Sequence, residues 1–221
     1  MRAERDANVK SKIGVICIIL GTLLLLGSSF LVLFNMHQDA EAGNAAADVL
    51  PQLVEQIREN NVKEPTVPEK EGELDLDLQI PVDLLTEEDK KMTEIEIDGY
   101  AYIGYLSIPA LDLELPIMSG WSYPQLKIAP CRYNGSVRGE DLVLMAHNYK
   151  SHFGRLSQLN IGDSISFTDM DGVTTIYKVV AKDILEPTAV EEITDGAFDL
   201  TLFTCTYGGA TRVTVYCDKI S

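Results

Sequence analysis

The chain has 221 residues, 46% of them hydrophobic and 24% charged, which is enough apolar side chain to build the core of one or two ordinary domains. Its net charge of −16 argues against a partner held by clustered Lys and Arg, so no nucleic-acid function is expected. Four cysteines with no C-x-x-C pair, and only three histidines, give a structural zinc site no spacing to rest on.

The first element in chain order is "IGVICIILGTLLLLGSSFLVLF", Ile13 to Phe34, which contains no charge. At a rise of 1.5 Å per residue it would make a helix about 33 Å long, roughly the hydrocarbon thickness of a bilayer. Arg2, Arg5, Lys10 and Lys12 precede it, and Asp39 and Glu41 follow, so residues 1–12 are expected in the cytoplasm and everything after Phe34 outside. The "AEA" at Ala40–Ala42 could serve as a signal-peptide cleavage site. The apolar run, however, is much longer than the roughly 7–15 residues of a signal peptide's core, and a retained anchor over residues 13–34 is the preferred reading. Beyond Phe34 stand 32 acidic against 14 basic residues, a net charge of −18 that is expected to hold the exported part away from anionic head groups.

Residues 35–96 carry the composition of a stalk. "NAAADVLPQLVEQIREN" permits a short helix interrupted near Pro51. "VKEPTVPEKEGELDLDLQIP" is too rich in proline and acid to bury the apolar area a fold needs, and it favours extended conformers. Residues 97–221 then turn to short apolar runs between turn signals. "YIGYLSIPAL" and "LELPIM" read as strands that Pro109 and Pro116 confine to edges or ends. "LVLMA", "SISFTD", "TTIYKVVAKDIL", "LTLFTC" and "TRVTVYC" follow, with "MDG" and "GG" as turns. About eight strands in about 125 residues, with only "FGRLSQL" suggesting a helix, predict a mainly β fold, an eight-stranded antiparallel barrel closed or nearly so.

Of Cys131, Cys205 and Cys217 at most two can pair, so an exported chain keeps a free thiol. Cys131 and Cys217 read as small buried hydrophobes, with a 131–217 bridge as the other reading. Cys205 differs because of its hairpin. If Gly208 and Gly209 form a two-residue turn, Cys205 faces Arg212 across the strand pair, Thr206 faces Thr211 and Tyr207 faces Ala210. Leu200, Leu202, Val213, Val215 and Cys217 then share the core side, and Thr201, Phe203, Cys205, Arg212, Thr214 and Tyr216 the other. A guanidinium cannot be buried unpaired, so that second face must open to solvent or a cleft. A partly exposed thiol beside a fixed cation is the setting of a nucleophile. Phe203, Thr214 and Tyr216 are expected to line a groove there, and Thr204, next to Cys205, to join them in binding substrate. His147, at the end of an apolar strand, is the preferred proton partner, while His152 falls in the polar loop that follows. Trp121 reads first as a packed core aromatic and second as a groove residue.

"TLFTC", "AHNYKSHFGRL" and "TRVTV" resemble the signature segments of sortases, the membrane-anchored cysteine transpeptidases of Gram-positive bacteria. The similarity extends over roughly residues 102–220 and takes in "IGYLSIPALDLELPI", "LNIGDSISFTD" and the N-terminal anchor. It implies an eight-stranded barrel whose groove binds an LPxTG-like sorting signal on surface proteins, with an amine of the cell-wall precursor as acceptor. Carried onto this chain, it implies Cys205 as nucleophile, His147 as general acid and then base, and Arg212 as the cation on the substrate carbonyl or oxyanion. The seven-residue spacing from Cys205 to Arg212 is shorter than in several sortase subgroups. With no second apolar span and no aromatic-acidic lid before the barrel, the pilin-polymerising subclass is not the expected one. No cofactor is expected, and calcium is left open, since no acidic loop shows an ordered ligand spacing. Three other readings stand beside this one: an L,D-transpeptidase, whose Ser-x-Gly-Cys context "FTCTY" does not match; a cysteine hydrolase; and an anchored binding module, which leaves the thiol opposite an arginine unexplained.

Overall fold

The computed structural model describes residues 2–63, 86 and 90–220; the proline- and acid-rich part of the expected stalk, residues 64–85, lies outside the described residues. The chain divides into two compact units, Met1–Ala40 and Glu41–Ser221. The first is helical throughout its described length, being the start of helix α1 (Arg2–Lys63). Its apolar side chains face outward all round: Leu20, Leu23, Leu24, Phe30 and Leu33 are each 60–69% exposed. Among the described residues this is the one helix long and apolar enough to cross a membrane, with mean hydropathy 2.6 over its most apolar stretch.

The second unit begins within α1. The sequence suggests a break near Pro51, yet the helix continues through it to Lys63. Ala42, Ala46, Val49, Leu53 and Ile57 recur every three or four residues on one face, and all are buried, Leu53 completely. A proline in a helix interior costs about 3 kcal/mol. Burying a valine, leucine or isoleucine returns about 1.5–3 kcal/mol each, so tertiary packing overrides the local break.

Nine strands follow: β1 (Ile95–Ile97), β2 (Tyr100–Ile108), β3 (Leu113–Met118), β4 (Cys131–Asn134), β5 (Leu142–Ala146), β6 (Ser164–Asp169), β7 (Thr174–Leu185), β8 (Leu200–Cys205) and β9 (Arg212–Lys219). Eight of them close a barrel in the order β2, β3, β4, β5, β8, β9, β7, β6, with β6 returning to β2. The short β1 pairs only with the first residues of β2. A bulge against β3 falls next to Gly104, which takes φ +146° and also meets β6 at the closure; a Cβ there would collide with the Thr168 carbonyl oxygen, so only glycine lets β2 and β6 meet.

Alternation along the strands fills the interior with Leu106, Ile117, Leu144, Phe167, Leu202 and Val215, all fully buried. On the outside, register aligns Tyr102, Met118 and Cys131 across β2, β3 and β4, and they form a second cluster with Val49, Leu53 and Ile57 of α1. Two pairings depart from the expected antiparallel pattern: β3 meets β4 through one parallel bridge, and β5 and β8 run parallel over five residue pairs. Parallel neighbours need a long crossover, which for β5 and β8 is the segment carrying the β6–β7 hairpin. "FGRLSQL" contributes a single 3-10 turn, Leu156–Gln158.

Candidate active site

The register of the last hairpin is the one the glycine pair predicts. Leu200 pairs with Cys217, Leu202 with Val215, Phe203 with Thr214, and Cys205 with Arg212. The connection is wider than a two-residue turn: Gly209 N donates to Thr206 O (2.8 Å) and Thr206 N to Thr211 O (2.9 Å), while Gly208 and Gly209 both take positive φ. Tyr207 and Ala210 therefore lie beyond the ladder, and Tyr207 is exposed. Leu200, Leu202, Val215 and Cys217 occupy the core face as expected, and Val213 packs against it.

Strand β5 sets the third residue beside the pair. Its parallel register with β8 aligns Ala146 with Thr204, and the Thr204 hydroxyl donates to the Ala146 carbonyl across 2.8 Å of buried space. One residue further along each strand stand His147 and Cys205. His147, Cys205 and Arg212 thus form a row across three neighbouring strand ends, and all three line one cavity of about 200 Å³. Arg212 is anchored to its own turn, its Nη1 donating to Gly209 O and Thr211 O, each at 3.1 Å. The half-buried imidazole of His147 has its pKa lowered from the ordinary histidine value, first by burial and then by the positive charge of Lys127.

One wall of the cavity is aromatic. Phe203 meets Tyr133 edge-on with centroids 5.3 Å apart, Tyr133 lies 5.9 Å from Trp121, and Trp121 lies 6.1 Å from Tyr123. Trp121 is 44% exposed and borders the cavity, which overturns its reading as a packed core residue. It precedes the one-turn helix α2 (Tyr123–Leu126), capped by Ser122, and a short helix ahead of β8, α3 (Val190–Thr194), adds Val190 and Ile193 to the lining, Ile193 clustering with Phe203 and Tyr133. Of the residues expected to bind substrate, Phe203 and Thr204 reach the cavity. Thr214 and Tyr216 share a strand face with Arg212 but are not among its lining residues. Thr214 is fully buried, and Tyr216 is buried in a stack on Phe198 at 4.5 Å. Of the aromatic wall, Phe203 is expected from the sequence and Trp121 has a second reading as a groove residue, while Tyr123, Tyr133 and α3 are not foreseen; the only local signal for Tyr123 is "GWSYP", two aromatics in a loop of turn residues.

The loop after His147 also differs from its reading as a polar segment. His152 is completely buried, because the chain curls back so that His152 N and Gly154 N both donate to Tyr149 O, at 3.0 and 2.8 Å. Cys131 and Cys217 are free, fully buried, and have pKa values pushed up to about 12 by burial, so the small-hydrophobe reading holds and the 131–217 bridge is absent. Among the described residues no group of three or more His, Cys, Asp or Glu is placed to hold a metal ion. What the cavity offers is a thiol between an imidazole and a guanidinium, a donor set suited to nucleophilic attack on a carbonyl and to stabilising the oxyanion formed.

A model of the sortase domain matches residues 106–220. No curated protein sequence matches the chain. Among solved structures, sortase C of Streptococcus pneumoniae is similar at 24% identity and a TM-score of 0.50, over 77% of this chain and 89% of that one. Sortase C1 of Streptococcus agalactiae is similar at 20% identity and a TM-score of 0.50, over 78% and 90%. Sortase C1 of Streptococcus suis reaches 29% identity with a TM-score of 0.47, over 54% and 73%. At these levels the likenesses bear on the fold and not on subclass.

Proposed function

The chain belongs to the sortase family of cysteine transpeptidases, and we propose that it cleaves an LPxTG-type sorting signal between Thr and Gly and transfers the surface protein to an amine of the cell-wall precursor. The observation that carries this reading is the row of His147, Cys205 and Arg212 opening on a single cavity. Burial favours the neutral imidazole, so His147 is able to take the Cys205 proton as the sulfur adds to the threonine carbonyl carbon. The carbonyl electron pair moves to oxygen, where the Arg212 guanidinium offsets the charge. Collapse of this intermediate breaks the Thr–Gly bond, His147 returns its proton to the departing amine, and a thioester remains on Cys205. An incoming amine then attacks the thioester, gives its proton to His147, and the thiolate leaves. The aromatic wall supplies apolar surface for the leucine and proline of the signal.

Such chemistry requires the second unit outside the cell, with α1 crossing the membrane over residues 13–34 and residues 1–12 inside, as the basic flank favours. Protease added to intact protoplasts should then remove the barrel. The decisive assay incubates the full chain in detergent with an LPxTG peptide and a short amine. A thioester adduct on Cys205 and a ligated peptide are expected; release of free acid alone, with amine present, would make the protein a hydrolase, and absence of cleavage would overturn the reading.

A further inference from the structure

We propose that Tyr149 is a positioning residue that holds the imidazole of His147 in place beside Cys205, an inference that rests on His147 being the proton carrier. The Tyr149 ring lies 5.1 Å from the His147 ring, tilted by 51°, and 5.6 Å from the His152 ring, tilted by 56°. Because His152 is completely buried, Tyr149 packs both against a ring sealed in the fold and against the reactive one. The backbone beneath is tied just as closely. Tyr149 O accepts from His152 N and Gly154 N, while Phe153 N donates to His147 O at 3.3 Å. A Cβ on Gly154 would collide with the carbonyl oxygens of Asn148 and Tyr149, so the loop is wound as tightly as a glycine permits.

A histidine at a strand end has two free side-chain torsions, and a proton carrier works only when its ring meets both the thiol and the leaving amine. The groups facing His147 are Cys205 and Arg212 from the neighbouring strand ends, the charge of Lys127 after α2, and Tyr149 from its own loop. Of these, Tyr149 is the one whose ring packs against the imidazole, at a tilt.

The test separates a held ring from a merely folded loop. In the full chain carrying Cys205→Ala, the His147 ring resonance is titrated by NMR with Tyr149 intact, as Tyr149→Phe and as Tyr149→Leu, with Tyr149→Met as substitute should the leucine variant not fold. Removing the ring lets water reach His147, so its midpoint is expected to rise toward the ordinary value of about 6.5, whereas Tyr149→Phe leaves it in place. With Cys205 restored, Tyr149→Leu is expected to lower kcat for transfer about tenfold to hundredfold with KM little changed, and Tyr149→Phe to recover it. An unmoved midpoint in the leucine variant, or a phenylalanine variant as slow as leucine, overturns the proposal. A native chain that does not turn over a sorting peptide would instead defeat the reading of function, and the titration would still decide whether Tyr149 holds the ring.

Discussion

Cys205 and Arg212 are direct cross-strand partners on β8 and β9, and both side chains reach the same cavity. Opposed residues have Cβ atoms about 4.5–5.5 Å apart, so the guanidinium cannot move far from the sulfur. One of its nitrogens is committed to the carbonyls of Gly209 and Thr211, which fixes the plane of the fork and leaves Nε and Nη2 without a partner among the described residues. Arg212→Lys keeps the charge but loses that geometry. It is expected to lower activity with little effect on folding, and Arg212→Ala to cost roughly a hundredfold to a thousandfold in kcat. Kinetics on variants whose thermal unfolding matches the parent check this; native-like rates in Arg212→Ala would remove the residue from the mechanism.

The four thiols should differ sharply toward an alkylating reagent. Cys131 and Cys217 are fully buried with pKa values near 12, while Cys205 is half-buried at the cavity and Cys17 is exposed on α1. Peptide mapping of the protein in lipid is expected to find Cys205 modified first, with Cys131 and Cys217 reacting only on unfolding. Early modification of Cys131 would contradict the packing of α1 over it.

His147 gives stability a defined dependence on pH. Burial, and after it Lys127, lower its pKa in the folded state, so between the folded value and about 6.5 the unfolded chain binds a proton that the folded chain does not. Stability should therefore be full above about pH 6.5 and decline as pH falls from there. His147→Gln should reduce that decline while abolishing transfer, as urea midpoints at pH 7.5 and 5.5 would show. His152→Ala is expected to act differently: with its ring fully buried, the loss is one of stability, on the order of 2 kcal/mol. A folded His152→Ala that cannot transfer, beside an active His147→Gln, would reverse the assignment.

The buried face of the last part of α1, from Ala42 to Ile57, predicts that this part belongs to the folded second unit rather than to a loose tether. Leu53 is completely buried against the cluster containing Tyr102, Met118 and Cys131. Leu53→Ala should destabilise the protein by about 2–5 kcal/mol, whereas Val54→Ala, on the exposed side, should change little. Equal unfolding midpoints for the two variants would argue against this packing.

Local information made part of the site legible. Alternation and a glycine pair suffice to pair Cys205 with Arg212 and to sort Leu202 and Val215 from Phe203 and Thr214, because a hairpin's register depends on residues a few positions apart. Tertiary structure decided what no short window contains. The parallel contact of β5 with β8, which sets His147 beside Cys205, closes a separation of 58 residues, as the Thr204 to Ala146 hydrogen bond records. Trp121 and Tyr133 became a cavity wall only when β4 and the loop before α2 were brought together at the strand ends, and Tyr216 was covered instead of opened by the stack of Phe198 on it. At Pro51 and His152 the local preference for a helix break and for a solvated loop lost to burial. A chain reads such preferences from its own neighbours, but the apolar contacts that outweigh them come from residues far along the sequence, and those form only when the barrel closes.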